Sequence, residues 1–309
     1  MSKTKLAYLW SLRNAAADKA GQYIEYKGER RYMKSPLEYL VETLNGTSLG
    51  DAYSLEAVIF DDDEGSARDR EKVKDYGFSC RKDGLWFYPP ALEVQGRRVN
   101  DLLYGVPSVY RRLCLEAADR PARKGVFEAH LLDKLLAIGA ELVIVDGLLI
   151  ILDELVRPGA PFHRKIINIH PGITRPDSRY ERRGAYATLD ALHGAGGFKV
   201  VNWATMETRS VPMVDMTGAS FHYMDNNIDS GEVIVDILNT KIDPRDTILE
   251  LRWNNFNNSL FPALYQGLAR MAEKSGSWPG GSIEHEGCDE PVPADSVVNI
   301  PRVAQCSRS

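Results

Sequence analysis

Apolar positions along this chain follow two spacings. Short, nearly unbroken apolar runs predict buried strands at Lys5 to Leu12, Leu55 to Phe60, Glu141 to Val145 and Lys165 to Ile169. Gly218 to Met224 and Glu232 to Thr240 also have strand character. Between these runs apolar residues recur at helical spacing. Ser35-Pro36 followed by Leu37, Tyr39, Leu40, Val41 and Leu44 predicts a helix with a serine N-cap and an N1 proline. Further helices are predicted over Phe127 to Ile138, Asp153 to Arg157 (short), Gly184 to His193, and Asp246 to Met271. The last carries Ile248, Leu251, Leu260, Leu264, Leu268 and Met271 at matching positions.

Strands alternating with helices imply an α/β fold: an open, mostly parallel twisted sheet of the Rossmann type with helices on both faces. In such sheets the working site lies outside the carboxyl ends of the strands. Residues 65 to 122, including Trp86-Phe-Tyr-Pro-Pro90, break the rhythm and are expected to hold a smaller strand and a helix over the substrate side. From about Lys274 the chain turns to Ser, Gly, Pro, Glu and Asp without apolar periodicity. The expected organisation is therefore one catalytic domain over 1–273, with inserted segments near 61–122 and 195–216, and a flexible tail over 274–309.

Composition narrows the class. With 309 residues, 44% hydrophobic and 26% charged, the chain resembles an ordinary soluble globular protein. A net charge of -5 gives no electrostatic reason to expect a nucleic-acid partner. The apolar stretch before Arg13 is too short for a signal or a membrane span, as is Leu142 to Leu152, which contains Asp146. Four scattered cysteines form no CxxC pair, and His285 near Cys288 lacks a second pair to close a metal site. A cytoplasmic protein with reduced thiols and no metal is expected.

The candidate chemistry sits at a strand end. Asn168 and His170 are two apart in Lys165-Ile-Ile-Asn-Ile-His-Pro-Gly172, so they share one strand face just where Pro171-Gly172 breaks the strand. Asp229, in Asp229-Ser-Gly231, can complete a three-residue acid-base site. The imidazole can move a proton near neutral pH, the amide can donate to an oxyanion, and the carboxylate can orient the imidazole or take up a proton through water. Ser11, Ser178 and Ser220 lack a nucleophile-elbow setting, which points to direct attack by a bound amine on an acyl carbon. Simpler readings stand beside this one. A strand-end histidine is often structural, and His222 fits either a core histidine or a pocket wall. Asp61-Asp-Asp-Glu64 fits a solvated loop, Arg182-Arg183 surface ion pairs, and Trp203 loop packing.

Asn168-Ile-His170-Pro-Gly, Arg183-Gly-Ala185, Gly218-Ala-Ser-Phe-His222 and Ile228-Asp-Ser-Gly-Glu-Val-Ile234 occur in an order that resembles the folate-dependent formyltransferases. The resemblance covers roughly 130 to 272. It implies a formyltransferase-like fold, Asn168, His170 and Asp229 as catalytic residues, and 10-formyltetrahydrofolate as formyl donor. Asp146 to Leu152 lines up with the family's pterin-pocket segment. The resemblance thus assigns Gly147, Leu148, Leu149, Ile150 and Leu152, with Asn227 and Ile228, to the donor. Where glycinamide ribonucleotide transformylase has a glycine-rich phosphate loop, this chain has Ser11-Leu-Arg-Asn-Ala-Ala16, which disfavours a phosphorylated acceptor and leaves Arg13 and Asn14 as acceptor-binding candidates. Residues 274 to 309 cannot supply the basic C-terminal domain of methionyl-tRNA formyltransferase.

Tyr8-Leu-Trp-Ser-Leu-Arg-Asn14, Tyr32-Met-Lys-Ser-Pro-Leu-Glu-Tyr39, Glu181-Arg-Arg-Gly-Ala-Tyr-Ala187 and Leu251-Arg-Trp-Asn-Asn255 look like the hydroxyornithine transformylases of pyoverdine siderophore synthesis. That resemblance implies N-hydroxyornithine as acceptor. Its charged amino-acid head would need partners, for which Asp61 to Asp63 and Arg13 are candidates. The alternatives are a 10-formyltetrahydrofolate hydrolase, a formyltransferase acting on another amine such as an amino sugar, and a non-catalytic folate-binding module.

Overall fold

Strand β1 (Thr4–Trp10) buries Leu6 to Trp10 without interruption because it lies in the middle of a sheet covered on both faces. The computed structural model describes residues 2–11, 14, 18–62, 67, 71, 74 and 91–276, with the backbone of 79–80 and 86–87. After β1 come a hairpin, β2 (Gln22–Tyr26) and β3 (Glu29–Met33), then helix α1 (Pro36–Gly46) and the short α2 (Leu49–Ala52). Strand β4 (Tyr53–Asp62), edge strand β5 (Leu103–Pro107), α3 (Arg120–Ala137), β6 (Leu142–Asp146), α4 (Asp153–Val156) and β7 (Ile166–His170) follow. The second half adds α5 (Ala187–Ala195), the hairpin β8 (Phe198–Asn202) and β9 (Glu207–Ser210), β10 (Met216–Tyr223), β11 (Val233–Lys241), α6 (Ile248–Asn255) and α7 (Phe261–Lys274).

Seven strands form one sheet in the order β11-β10-β7-β6-β1-β4-β5. The five from β7 to β5 are parallel, and β10 pairs antiparallel with both of its neighbours. Side chains alternate across the sheet. Leu6, Tyr8, Trp10, Ile144 and Phe221 pack with Leu37, Leu40, Leu264 and Leu268 of α1 and α7. Ala7, Leu9, Ile59, Val143 and Val145 pack with Phe127, Leu131 and Leu135 of α3. The expected open, mostly parallel sheet with helices on both faces is what the chain adopts.

Helix α1 begins as expected. Ser35 Oγ accepts the Glu38 N–H at 3.1 Å while the Glu38 carboxylate accepts the Ser35 N–H at 2.8 Å, a reciprocal cap. The single long helix expected from Asp246 is instead α6 and α7 joined by a π-helical segment, Phe256–Leu260. The extra residue in that turn lets Ser259 reach Thr240 on β11, with Oγ to Oγ1 at 2.7 Å.

Among its described residues the 65–122 region supplies β5, two-residue pairings of Ser79–Cys80 with Trp86–Phe87 and of Glu93–Val94 with Arg97–Arg98, 3-10 turns, and α-helical backbone at Ala67, Glu71 and Lys74. Asp61 is no solvated loop residue: it is buried at the end of β4 and paired with Arg111. Asp63, Glu64 and the side chains of Trp86, Phe87 and Tyr88 lie outside the described residues, as does everything from 277 onward.

Gly267 marks where α7 sits on β10. A Cβ at that position would stand 2.1 Å from Phe221 Cδ1, and Phe221 is fully buried. Gly267→Ala is therefore expected to lose roughly 1–3 kcal/mol to overpacking. That exceeds the gain of about 1 kcal/mol from helix propensity. Urea unfolding measures it, and a variant as stable as the parent would contradict this seating of α7.

Candidate active site

The last residues of β7 set the site. Alternation sends Ile167 and Ile169 into the core beneath α1 and α7, and sends Asn168 and His170 to the other face. The chain then turns at Pro171-Gly172 and comes back closely: a Cβ on Gly172 would lie 2.5 Å from the Arg182 carbonyl oxygen. Across the antiparallel pairing, Asn168 faces His222 and His170 faces Ser220.

Asp229 comes from the β10–β11 turn and adopts the left-handed φ of 46°, uncommon for a residue with a side chain. Its carboxylate meets four groups. Oδ2 accepts the Gly184 N–H at 2.7 Å and faces His170 Nδ1 at 3.4 Å. Oδ1 accepts from Asn168 Nδ2 at 3.0 Å and faces His222 Nε2 at 3.6 Å. Burial by itself would raise this carboxyl, but His170, His222 and the Gly184 amide outweigh it and hold the group far below the usual carboxylate range.

Backbone carbonyls fix the imidazole protons. His170 Nε2 donates to the Arg182 carbonyl at 2.9 Å and His222 Nδ1 to the Tyr223 carbonyl at 2.9 Å, since a carbonyl only accepts. Neutral His170 therefore presents a bare Nδ1 to the Asp229 carboxylate, and His222 Nε2 faces the Asn168 amide at 3.3 Å. Burial lowers the His170 pKa; the Asp229 charge pulls the other way without winning. The result is a neutral imidazole whose Nδ1 is ready to accept a proton beside an anion that stabilises it.

The structure brings Asn168, His170 and Asp229 together. It adds His222 as a fourth, buried member, and the antiparallel pairing that places it there has no signature in the sequence of either strand. Among the residues expected around a pterin, Leu149 and Ile228 are 62% and 63% exposed, and Asn227 is exposed. Ile150 is half-buried and Leu148 is mostly buried in the core. Leu152 has a side chain that is 0% exposed and packs in the core under α3 and α4. Gly147, at φ 60°, accepts from the Asn14 amide, so Asn14 is held against this segment. Arg13 lies outside the described residues. Arg182 is no surface residue, but is buried against Asp190 with Nε to Oδ2 at 3.0 Å. Trp203 packs on Tyr186 with ring centroids 4.6 Å apart, within the loop packing expected of it. Among the described residues, no group of three or more His, Cys, Asp or Glu is placed to hold a metal, and no helix is long and apolar enough to cross a membrane.

Asp146 is the one charge within the 142–152 apolar run. It ends β6 and accepts from Tyr8 Oη at 2.6 Å. Burial pushes its carboxyl up to about 6; the Tyr8 hydrogen bond opposes this and the nearby Asp18 charge adds to it.

No family model matches the chain, and no curated protein does. Solved structures do. The structure of PvdF of pyoverdin biosynthesis, an N10-formyltetrahydrofolate-dependent formyltransferase, is 65% identical over 88% of this chain and 100% of that one, with a TM-score of 0.80. Glycinamide ribonucleotide transformylase 1 from Symbiobacterium toebii is 16% identical over 88% of this chain and 89% of that one, with a TM-score of 0.49. Phosphoribosylglycinamide formyltransferase from Anaplasma phagocytophilum is 17% identical over 88% of this chain and 89% of that one, with a TM-score of 0.47.

The raised pKa of Asp146 gives a stability prediction. Folding favours its protonated form, so its stability contribution is full below about pH 4, the unfolded value, and is lost as pH rises toward 6. Asp146→Asn keeps an acceptor for Tyr8 and removes the ionisation cost. It should raise stability at pH 7 by roughly 1–2 kcal/mol, allowing for partial exposure, with little change at pH 4. Denaturant unfolding at the two pH values checks this, and equal stabilisation at both would contradict it.

Proposed function

The chain belongs to the N10-formyltetrahydrofolate-dependent formyltransferases, and on that premise we propose that it formylates the side-chain hydroxylamine nitrogen of N-hydroxyornithine. The product, N-formyl-N-hydroxyornithine, would serve hydroxamate siderophore synthesis of the pyoverdine type. The observation that carries this reading is the convergence of Asn168, His170 and Asp229 on one strand-end cluster, in a chain 65% identical to PvdF of pyoverdin biosynthesis. The acceptor chemistry suits the site. A hydroxylamine nitrogen is a weaker base than an alkyl amine, so it is unprotonated at neutral pH and needs no strong base before attack.

The donor, 10-formyltetrahydrofolate, supplies an electrophilic formyl carbon on a nitrogen that becomes the leaving group. Exposed Leu149 and Ile228 and the backbone of 147–150 are the groups we assign to its flat pterin. Asn14 and, beyond the described residues, Arg13 are assigned to the acceptor side. Both Asn168 amide hydrogens are engaged, one on Asp229 at 3.0 Å and the other on His222 at 3.3 Å. The hydrogen on the longer contact is the one that turns to a developing oxyanion. His170 Nδ1 receives the proton that the attacking nitrogen releases, and Asp229 stabilises the imidazolium until that proton passes through water to the departing nitrogen. The new C–N bond forms at the acceptor as the old one breaks at the donor. Both substrates are small molecules, and we place the reaction in the cytoplasm, with no membrane or nucleic-acid partner.

Incubation with 10-formyltetrahydrofolate and N-hydroxyornithine should release tetrahydrofolate and formylated product in equal amounts. Donor consumption without an amine would make the protein a hydrolase instead, and no turnover with any amine would end the transferase reading. His170→Ala and Asp229→Asn should each lower kcat by about 10²–10⁴. The acid limb of the parent profile should lie below pH 6.5, the ordinary histidine value, because burial depresses His170. In Asp229→Asn the limb of the residual activity should move lower still, because the carboxylate that raises His170 is gone. A shift upward would contradict the assigned pairing.

A further inference from the structure

The 171–184 loop presents two backbone groups to the site: the Arg182 carbonyl that holds His170 Nε2–H, and the Gly184 N–H that holds Asp229. What holds the loop is a polar chain on the neighbouring strands. Asp236 on β11 stands opposite Ser220 on β10, which in turn stands opposite His170. The buried Asp236 carboxylate accepts from Ser220 Oγ at 2.5 Å and from Arg175 Nε at 2.7 Å. Ser220 Oγ accepts the Thr174 N–H at 2.9 Å. One carboxylate thereby fixes residues 174 and 175, the outgoing leg of the loop.

The returning leg is tied to the outgoing one. The Arg182 N–H donates to the Ile173 carbonyl at 2.7 Å, Ile173 bridges to Glu181, and the Arg183 guanidinium donates to the Thr174 carbonyl at 2.8 Å. The backbone pairing of β10 with β11 needs no charge at 236, and a buried carboxylate is costly wherever it is not matched by donors. Ser220 and, from the loop, Arg175 are among those donors.

We propose that Asp236, acting through Ser220 and Arg175, is a positioning residue: it fixes the loop whose backbone sets the His170 ring and the Asp229 carboxylate. The proposal rests on the assignment of His170 above. Arg175 makes it testable, because its side chain is 59% exposed and its removal leaves the core intact.

The experiment compares Asp236→Asn, Arg175→Ala, Arg175→Lys and His170→Ala with the parent. It records kcat and KM for both substrates, thermal melting, and 15N-imidazole NMR of His170. Asp236→Asn and Arg175→Ala should lower kcat roughly ten- to hundredfold, the scale of a small misplacement of reacting groups. KM should move by less than about threefold, and Arg175→Lys should restore most of the loss. The Nε2–H resonance of His170, protected in the parent, should exchange faster in both weakened variants. Parent-like kcat per folded molecule, or an unchanged Nε2–H resonance, in both variants would overturn the proposal. If Asp236→Asn does not fold, Arg175→Ala decides alone by the same two readouts. Full turnover in His170→Ala would instead sink the reading of the site itself, while the NMR comparison still reports on the loop.

Discussion

Everything at the site is arranged around one buried anion. A carboxylate taken out of water costs several kcal/mol unless donors replace its hydration. Asp229 finds them in an amide side chain from β7 and a backbone N–H from the 171–184 loop, and it faces imidazoles from β7 and β10 that become donors to it on protonation. These groups come from three segments, so the charge fastens separate parts of the chain to one point. None can withdraw without leaving part of that charge unmatched, so the anion is a constraint on geometry as much as a participant in chemistry.

The reversed strand makes this convergence possible. Because β10 runs antiparallel to β7, its end at Tyr223 lies beside Ile167, below Asn168 and His170. The turn into β11 must then fold back over the sheet face to bring Asp229 to the end of β7. Gly231 permits that return, since a Cβ there would stand 1.8 Å from the Tyr223 carbonyl oxygen.

The central strands were legible because a strand buried on both faces reads as an unbroken apolar run, and the same-face relation of Asn168 and His170 follows from strand period alone. What escaped the sequence had weaker or absent apolar patterning. Strand β5 is broken by Gly105, which packs against the Phe60 ring, and by Pro107. The β8–β9 hairpin is almost wholly exposed, so neither strand carries an inward set. The π-helical turn lies among asparagines, one of which bonds a distant strand: Asn255 Nδ2 donates to the Gly218 carbonyl at 2.8 Å. Arg182 was misread because an arginine's burial depends on its finding a partner, here Asp190, and sequence does not show that pairing. The burial of Leu152 was not legible because an apolar run looks the same whether it lines a cavity or fills a core.

Two carboxylates show what burial does and does not decide. Asp229 and Asp146 are both taken from water near strand ends of one sheet, yet their charges are pushed in opposite directions. Asp229 has a backbone amide and a side-chain amide as donors, with two imidazoles that join them when protonated; Asp146 has one tyrosine hydroxyl and a neighbouring acid, Asp18. Donor count, more than depth, sets the ionisation state. For Asp229 that count depends on where the 171–184 loop places the Gly184 amide. The acid-base character of the site is thus fixed by backbone placed outside the strands, and a chain with the same trio on a looser loop would hold a differently charged cluster.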